Sequence, residues 1–256
     1  MLDTFHAGLG WPIAATLLMV SFAASFITVA FGIGGGLVML AVLATLLPAA
    51  AIVPVHGLVQ LGSNAGRACL MFKHIRLDLL GVFSAGAVLG IVLGGSVVVQ
   101  LNAGWILVVL GLFILWSVLA KPPAFLRNSG FVTGGFSSVL TMFIGGTGPF
   151  VATYVKSQQL DRMTHVGTHA ALMTIQHLLK TLAFGALGFA FSLWAGLIVM
   201  LVVAGVMGTV VGRMVLTRLD EKQFRFVLNA ILTILALRLI YSGASMLISG
   251  GTEPSP

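Results

Sequence analysis

Long apolar runs constrain this chain more than any other feature of its sequence. Only 7% of its 256 residues are charged and 59% are hydrophobic, which leaves too little charge to cover a soluble domain of this size. A helix needs roughly 20 apolar residues to cross a bilayer. The sequence therefore predicts an all-α polytopic membrane protein, and we expect it in the cell inner membrane. The apolar runs fall at about 11–31, 37–47, 51–72, 77–100, 104–120, 129–155, 162–190, 192–216 and 222–248.

The same polar pattern occurs twice, 113 residues apart. The matched pairs are Gly32 with Gly145, Gly35 with Gly148, His56 with His169, Arg67 with Lys180, and Gly95-Ser96 with Gly208-Thr209. We therefore predict about eight transmembrane helices in two related four-helix repeats. The first repeat covers 1–120 and the second 129–249, with a linker at 121–128 and a disordered tail at 250–256. Duplication with interrupted apolar segments in matching positions is typical of secondary transporters.

Glycine clusters interrupt one apolar run in each half. The first reads GIGGG at 32–36 and the second GGTGP at 145–149. Each glycine costs a helix about 1 kcal/mol relative to alanine, so both clusters predict a broken helix that lines a cavity. We interpret 37–47 as a continuation of the helix at 11–31 beyond its break. The isolated glycines are expected to permit close helix packing; they are Gly81, Gly86, Gly90, Gly94, Gly205 and Gly208.

A polar helix face follows each break. His56, Gln60, Ser63, Asn64 and Arg67 are spaced at 4, 7, 8 and 11 residues from the first of them, which puts them on one face. On the counterpart, Gln176, His177 and Lys180 stand 7, 8 and 11 residues after His169. Such a face must point into the bundle or a water-filled path. Two structural interpretations of these polar faces stay open. The side chains could form interhelical hydrogen bonds, and the two cations could snorkel to an interface.

The charges inside the predicted spans are all basic. The six acids lie at span ends, in loops or in the tail, whereas the interior holds histidines, Arg67 and Lys180. A cationic interior favours an anionic permeant, and the starts of helices after the breaks would add donors for it. Nucleic-acid binding is not expected, because the sequence has no basic surface outside the predicted spans that would bind phosphates.

The charges of the predicted loops do not determine how the chain is oriented in the membrane. Basic loops face the cytoplasm, but with eight full crossings the loop cations divide almost evenly between the two sides. Equivalent loops carry opposite charge patterns, as inverted repeats would produce. An inverted arrangement would need one broken element to be re-entrant, and the sequence does not identify it.

The Gly32–Gly36 cluster, its echo at Gly145–Pro149 and the polar helix carrying His56 and Arg67 resemble the TauE/SafE family of sulfite exporters. The resemblance covers nearly the whole chain and implies a small carrier of two related halves that moves sulfite, sulfonates or related organic anions. No nucleotide-binding loop is present, so we expect a secondary carrier without a cofactor. The candidate substrate-binding residues are Gly34, Gly35, Gly36, His56, Gln60, Asn64, Arg67, Gly146, Thr147, Gly148, His169, Gln176, His177 and Lys180.

Other functions stay open at this point. An anion channel would use the same cationic interior. An intramembrane hydrolase would pair Ser137 or Ser138 with His165 or His169, and those two histidines could also clamp a metal. The partners expected are a small anion and the lipid bilayer, with a homodimer left open.

Overall fold

The computed structural model describes residues 3–31, 34–98, 102–215 and 221–249, and these ranges contain helices and no strand. The predicted all-α fold is confirmed. After a single helical turn at Asp3–His6, ten helices follow. They are α1 (Trp11–Phe31), α2 (Gly35–Leu46), α3 (Ala49–Leu70), α4 (Asp78–Val98), α5 (Ala103–Leu119), α6 (Gly130–Ile144), α7 (Gly148–Ser157), α8 (Arg162–Ala186), α9 (Ala195–Val215) and α10 (Glu221–Ile248). The proposed tail at 250–256 lies outside the described residues.

Four helices are long and apolar enough to cross a membrane by themselves: α1, α4, α9 and α10. The helices α3 and α8 are as long, with 22 and 25 residues, but they carry the polar faces. They pack against each other inside the bundle, where polar groups find protein partners instead of lipid. The eight-crossing count stays a prediction.

Both predicted breaks are present. The helix α1 ends at Phe31 and α2 begins at Gly35, while α6 ends at Ile144 and α7 begins at Gly148. Gly34 has a φ of 112° and Gly145 a φ of 70°, a region where a residue with a Cβ is strained. Gly32 and Ile33 lie outside the described residues.

The helix after the first break turns back, and here the sequence interpretation was wrong. Gly35, at the start of α2, packs so closely on Ala24 of α1 that a Cβ on Gly35 would overlap the Ala24 carbonyl oxygen. A continuing helix would carry these residues far apart, because each residue adds about 1.5 Å of rise. The chain then reverses again at Leu47 and Pro48, so α3 runs antiparallel to α2 and passes beside its first turn. The short α2 is therefore a fold-back segment.

Each long helix of the first half packs on a helix of the second half, and these pairs follow the internal repeat. The helix α1 packs on α9 as α6 packs on α4, and α3 packs on α8 and α5 on α10. Helix starts and ends also correspond: α2 and α7 begin 113 residues apart, as do α3 and α8. The contacts show that α1, α3, α5 and α9 run toward one face of the bundle, and that α4, α6, α8 and α10 run away from it.

The glycines act mainly at the crossings between halves. A Cβ on Gly86 of α4 would overlap the Phe131 carbonyl oxygen of α6, and one on Gly208 of α9 would overlap that of Phe22 in α1. Gly90, Gly94 and Gly205 make similar close approaches. Gly81 does not, because a Cβ there would meet no atom within 4 Å. The packing role predicted for Gly81 was therefore wrong.

Because α2 folds back, the loops that carry lysine and arginine are distributed differently between the two faces of the bundle. The loops that hold Lys73, Arg76, Lys121 and Arg127 meet at one face, which we call the basic face. Hydrogen bonds tie this face together: Arg162 donates to the Ala30 carbonyl, Arg213 to that of Leu70, and Ser157 to that of Arg127. On the opposite face, the loops at 47–48 and 187–194, the residues 3–10 before α1 and the last turn of α10 carry no lysine or arginine. The near-even split expected from eight full crossings was wrong.

We predict that the basic face is cytoplasmic, since positive loops are retained on that side. An epitope tag at the C-terminus should then be accessible to antibody in intact spheroplasts. The same tag inserted at 121–128 should react only after the membrane is permeabilised. The reverse pattern would contradict this orientation.

Candidate functional site

A narrow polar cavity lies where the two breaks meet α3 and α8. Its volume is about 30 Å³, room for one or two water molecules. The cavity lies inside the bundle, and its wall combines backbone at both breaks with side chains from three long helices. The residues lining it are Thr28, Gly34, Gly36, Leu37, His56, Gln60, Asn64, Gly145, Gly146, Gly148, Pro149, His169, Met173 and His177.

A histidine from each half contacts the start of the short helix that follows the break in its own half. The Nε2 of His56 donates to the Gly36 carbonyl at 3.0 Å, and the Nε2 of His169 donates to the Gly148 carbonyl at 3.3 Å. The Nδ1 of His56 is then an acceptor, and it has no hydrogen-bond partner. The imidazole of His177 lies 5.9 Å from that of His56, edge to face, and its Nδ1 has no partner either. Two buried imidazole nitrogens are therefore available at the cavity.

The Arg67 guanidinium lies behind the cavity wall. It is 1% exposed, and it donates from Nη1 to Asn64 Oδ1 at 3.0 Å and from Nη2 to Ser63 Oγ at 3.4 Å. Its Nε has no partner. Asn64 in turn donates to the Gln60 backbone and side-chain oxygens at 2.8 and 3.3 Å. A hydrogen-bonded chain thus links this cation to the amides in the wall.

Lys180 occupies the counterpart position in the other half. It is fully buried, and its Nζ donates to the Gly145 carbonyl at 3.4 Å. Among the described residues, no carboxylate bonds Lys180 or Arg67. Both lie inside the bundle, so the snorkelling interpretation was wrong.

Gln176 and Thr147 fill a structural role. The Thr147 hydroxyl donates to Gln176 Oε1 at 3.0 Å, and Gln176 Nε2 donates to Ser137 and Ser138 at 2.7 and 3.0 Å. Each amide atom is thereby occupied, and the group joins α6, α8 and the second break. The two serine hydroxyls bond an amide and no histidine, so this region lacks the nucleophile–base contact of a hydrolase.

The α8 helix is held at its start by Asp161. This carboxylate accepts hydrogen bonds from the backbone of Met163 and Thr164. The pKa of Asp161 lies below its usual range, mainly because its carboxylate accepts a hydrogen bond from the Thr164 side chain. The backbone hydrogen bonds lower this pKa further. The ionised N-cap favours the helix start, which fixes the register of His169 and His177 along α8.

The structure brings nine of the fourteen predicted site residues to the cavity wall: Gly34, Gly36, His56, Gln60, Asn64, Gly146, Gly148, His169 and His177. It does not bring Gly35, Arg67, Thr147, Gln176 or Lys180 to that wall. Whether the nine bind an anion stays a prediction. Sequence reasoning missed Thr28, Leu37, Gly145, Pro149 and Met173. One signal could have found Thr28, because it recurs as Thr141 at the same spacing of 113.

Apolar helices that enclose a polar cavity between interrupted segments define a multi-pass membrane permease. The chain belongs to the family described as Sulfite exporter TauE/SafE, whose model matches residues 17–239. The resemblance drawn from the glycine clusters and the polar helix is confirmed. No curated protein and no solved structure matches the chain significantly.

The two equivalent glycines Gly35 and Gly148 give a matched test of the site. A Cβ on Gly148 would lie 4.0 Å from His169 Nε2 and Met173 Cε, so Gly148→Leu places its side chain in the cavity. We expect this variant to melt within a few degrees of wild type and to lose its stabilisation by sulfite. Gly35→Ala forces α2 off α1, and overpacking of this kind costs about 1–3 kcal/mol, so it should melt lower. Thermal unfolding in detergent with and without sulfite measures both; full sulfite stabilisation of Gly148→Leu would contradict the site.

Proposed function

We propose that this protein is a secondary carrier of small oxyanions such as sulfite and short sulfonates, bound between the two helix breaks. One observation carries the proposal. Two buried cations, Arg67 and Lys180, stand behind the cavity without a carboxylate partner among the described residues. Family membership supports the anionic substrate class.

The two buried cations have no compensating negative charge among the described residues. An uncompensated charge inside a membrane bundle is costly, and neutral hydrogen bonds to Ser63, Asn64 and Gly145 offset only part of that cost. A bound oxyanion would supply the missing negative charge. The anion would also accept a hydrogen bond from the Gln60 side-chain amide and face the first turns of α2 and α7.

The arrangement of the halves supports a carrier over a channel. Each helix of the first half runs opposite to its counterpart in the second, as in inverted-topology repeats, which place their site at the repeat interface. A cavity of about 30 Å³ leaves no room for a stream of hydrated ions. We therefore favour alternating access, with the anion channel as the second candidate.

Reconstituted protein tests the function directly. Proteoliposomes loaded with unlabelled sulfite should accumulate external labelled sulfite transiently, because a carrier exchanges substrate across its site. Liposomes loaded with an equal concentration of a neutral solute serve as the control. Flux of anions without counterflow would indicate a channel, and transport of cations or neutral solutes alone would overturn the proposal.

Arg67 should need its guanidinium shape as well as its charge. A lysine ammonium cannot span Ser63 and Asn64 as the two Nη atoms do. A hydrogen bond to a charged group contributes roughly 1.5–3 kcal/mol, so Arg67→Lys should lower transport by about tenfold or more. Arg76→Lys is the control, since the Arg76 side chain is exposed and pairs with Asp78. Wild-type transport by Arg67→Lys would remove this residue from the site.

His56 is the candidate for proton coupling. Its Nδ1 has no partner, and protonation there would create a donor and a positive charge beside the anion. The charged and titratable groups around it are Lys180, His177 and, further along the cavity, His169 and Arg67. If anion movement is coupled to protons, uptake should rise as pH falls, and His56→Gln should flatten this profile because glutamine keeps the bond to Gly36 but does not titrate. His165→Gln, away from the cavity wall, is the control; an unchanged profile in His56→Gln, His169→Gln and His177→Gln would exclude histidine coupling.

A further inference from the structure

A cluster of three buried apolar side chains lies between the polar cavity and the basic face. It consists of Val29 of α1, Met71 directly after α3 and Val166 of α8, which are 0, 1 and 3% exposed. Each lies nearer to the basic face than a cavity-wall residue of the same helix. Those wall residues are Thr28, Asn64 and His169. We call the cluster the basic-side plug.

Two hydrogen bonds tie the start of α8 to the first half around this plug. The side chain of Arg162, the first residue of α8, donates to the Ala30 carbonyl near the end of α1. The backbone N–H of Arg76 donates to Thr168 Oγ1 at 3.1 Å, and Thr168 is fully buried. The end of α1 and the loop after α3 are thus both held against α8.

Close backbone packing reinforces these ties. A Cβ on Gly167 of α8 would lie 3.1 Å from the His74 carbonyl oxygen and 3.2 Å from that of Met71. The loop at 71–76 therefore lies directly on α8. An anion cannot pass between α3 and α8 to the basic face unless this loop moves.

The equivalent positions on the opposite face are not packed in this way. The 113-residue offset relates Val29 to Met142, Met71 to Phe184 and Val166 to Val53. The three equivalents line a cavity of about 300 Å³ instead of filling the space between them. The polar tie is absent there too, since Ala49 stands at the position equivalent to Arg162. The path is therefore closed more firmly toward the basic face.

We infer that the basic-side plug is the gate of the carrier toward the basic face, and that Arg162 is the latch that holds it shut. The inference rests on the proposed function, because a carrier opens its site to each side in turn. Opening toward the basic face must separate Val29 from Val166 and break the bond from Arg162 to the Ala30 carbonyl. Loss of the latch should therefore favour the state that is open to the basic face.

Thiol accessibility tests the gate. Val29→Cys in a Cys69→Ser background places one thiol in the plug, and sulfonatoethyl methanethiosulfonate, a charged thiol reagent, reaches it only when the gate opens. Applied from the basic face, the reagent should modify this thiol slowly. Adding Arg162→Gln should raise the rate by about tenfold, because a hydrogen bond from a charged group is removed. Gly167→Ala should raise it as well, because the added Cβ displaces the loop.

Matched variants separate gate opening from surface charge and from general loosening. Val155→Cys is equally buried, on α7 outside the plug, and should stay unreactive when Arg162→Gln is added. Lys121→Gln removes one positive charge from the same face and should leave the rate at Val29→Cys unchanged. Lys73→Cys, in an exposed loop of this face, identifies the vesicle orientation in which the reagent reaches it.

The outcomes distinguish the gate from the proposed function. If Arg162→Gln and Gly167→Ala both leave the rate at Val29→Cys unchanged, the gate is wrong, whatever the protein transports. An equal rise at Val155→Cys would also overturn it, because the bundle would have loosened as a whole. Sulfite counterflow is measured separately on the same variants, without the reagent. A rise confined to the plug in a protein that moves no oxyanion would leave the gate standing and refute the proposed substrate.

Discussion

Interrupted backbone inside an apolar bundle is the constraint on which the rest of this structure depends. Each break leaves carbonyl and N–H groups at a depth where no bulk water is available, and each such group must find a partner. The partners are side chains of α3, α6 and α8. His56 bonds the Gly36 carbonyl, and the Gly145 carbonyl accepts from both Thr141 and Lys180. Part of the polarity on α3 and α8 is thus explained by the breaks themselves.

Hydrogen bonds within the fold do not account for all of the polar atoms on α3 and α8. Gln176 has every amide hydrogen-bonding atom engaged within the fold. Other polar atoms of α3 and α8 are buried without a hydrogen-bond partner: Nδ1 of His56, Nε of Arg67, Nδ1 of His177 and Oγ1 of Thr181. Buried polar atoms are normally satisfied. Under the proposed function, Nε of Arg67 has a proton left to donate, whereas Nδ1 of His56 would have to be protonated before it could donate to an anion.

Sequence reasoning succeeded where spacing alone decides. The 11-residue spacing from His56 to Arg67 fixes a shared helix face, and the glycine clusters fix the two breaks. It failed where the outcome depends on a contact distant in sequence. Nothing local in Gly35 reveals that it packs on Ala24 and reverses the chain, and this reversal decides which face carries the loop cations. The same holds for Gly81, whose neighbours give no sign that its helix side lacks a partner.

Equivalent positions in the two halves carry different side chains at the cavity wall. At the 113-residue offset Gln60 corresponds to Met173, and Asn64 to His177, and all four line the cavity. At these positions the first half contributes two amides, with the Arg67 guanidinium behind them. The second half contributes an imidazole and a thioether, with the Lys180 ammonium behind them. Gln60 and Asn64 reach Arg67 through hydrogen bonds, whereas Lys180 reaches the cavity through the Gly145 carbonyl. Under the proposed function, an anion held between the halves would therefore meet an amide and guanidinium network on one side and an imidazole, a thioether and an ammonium on the other.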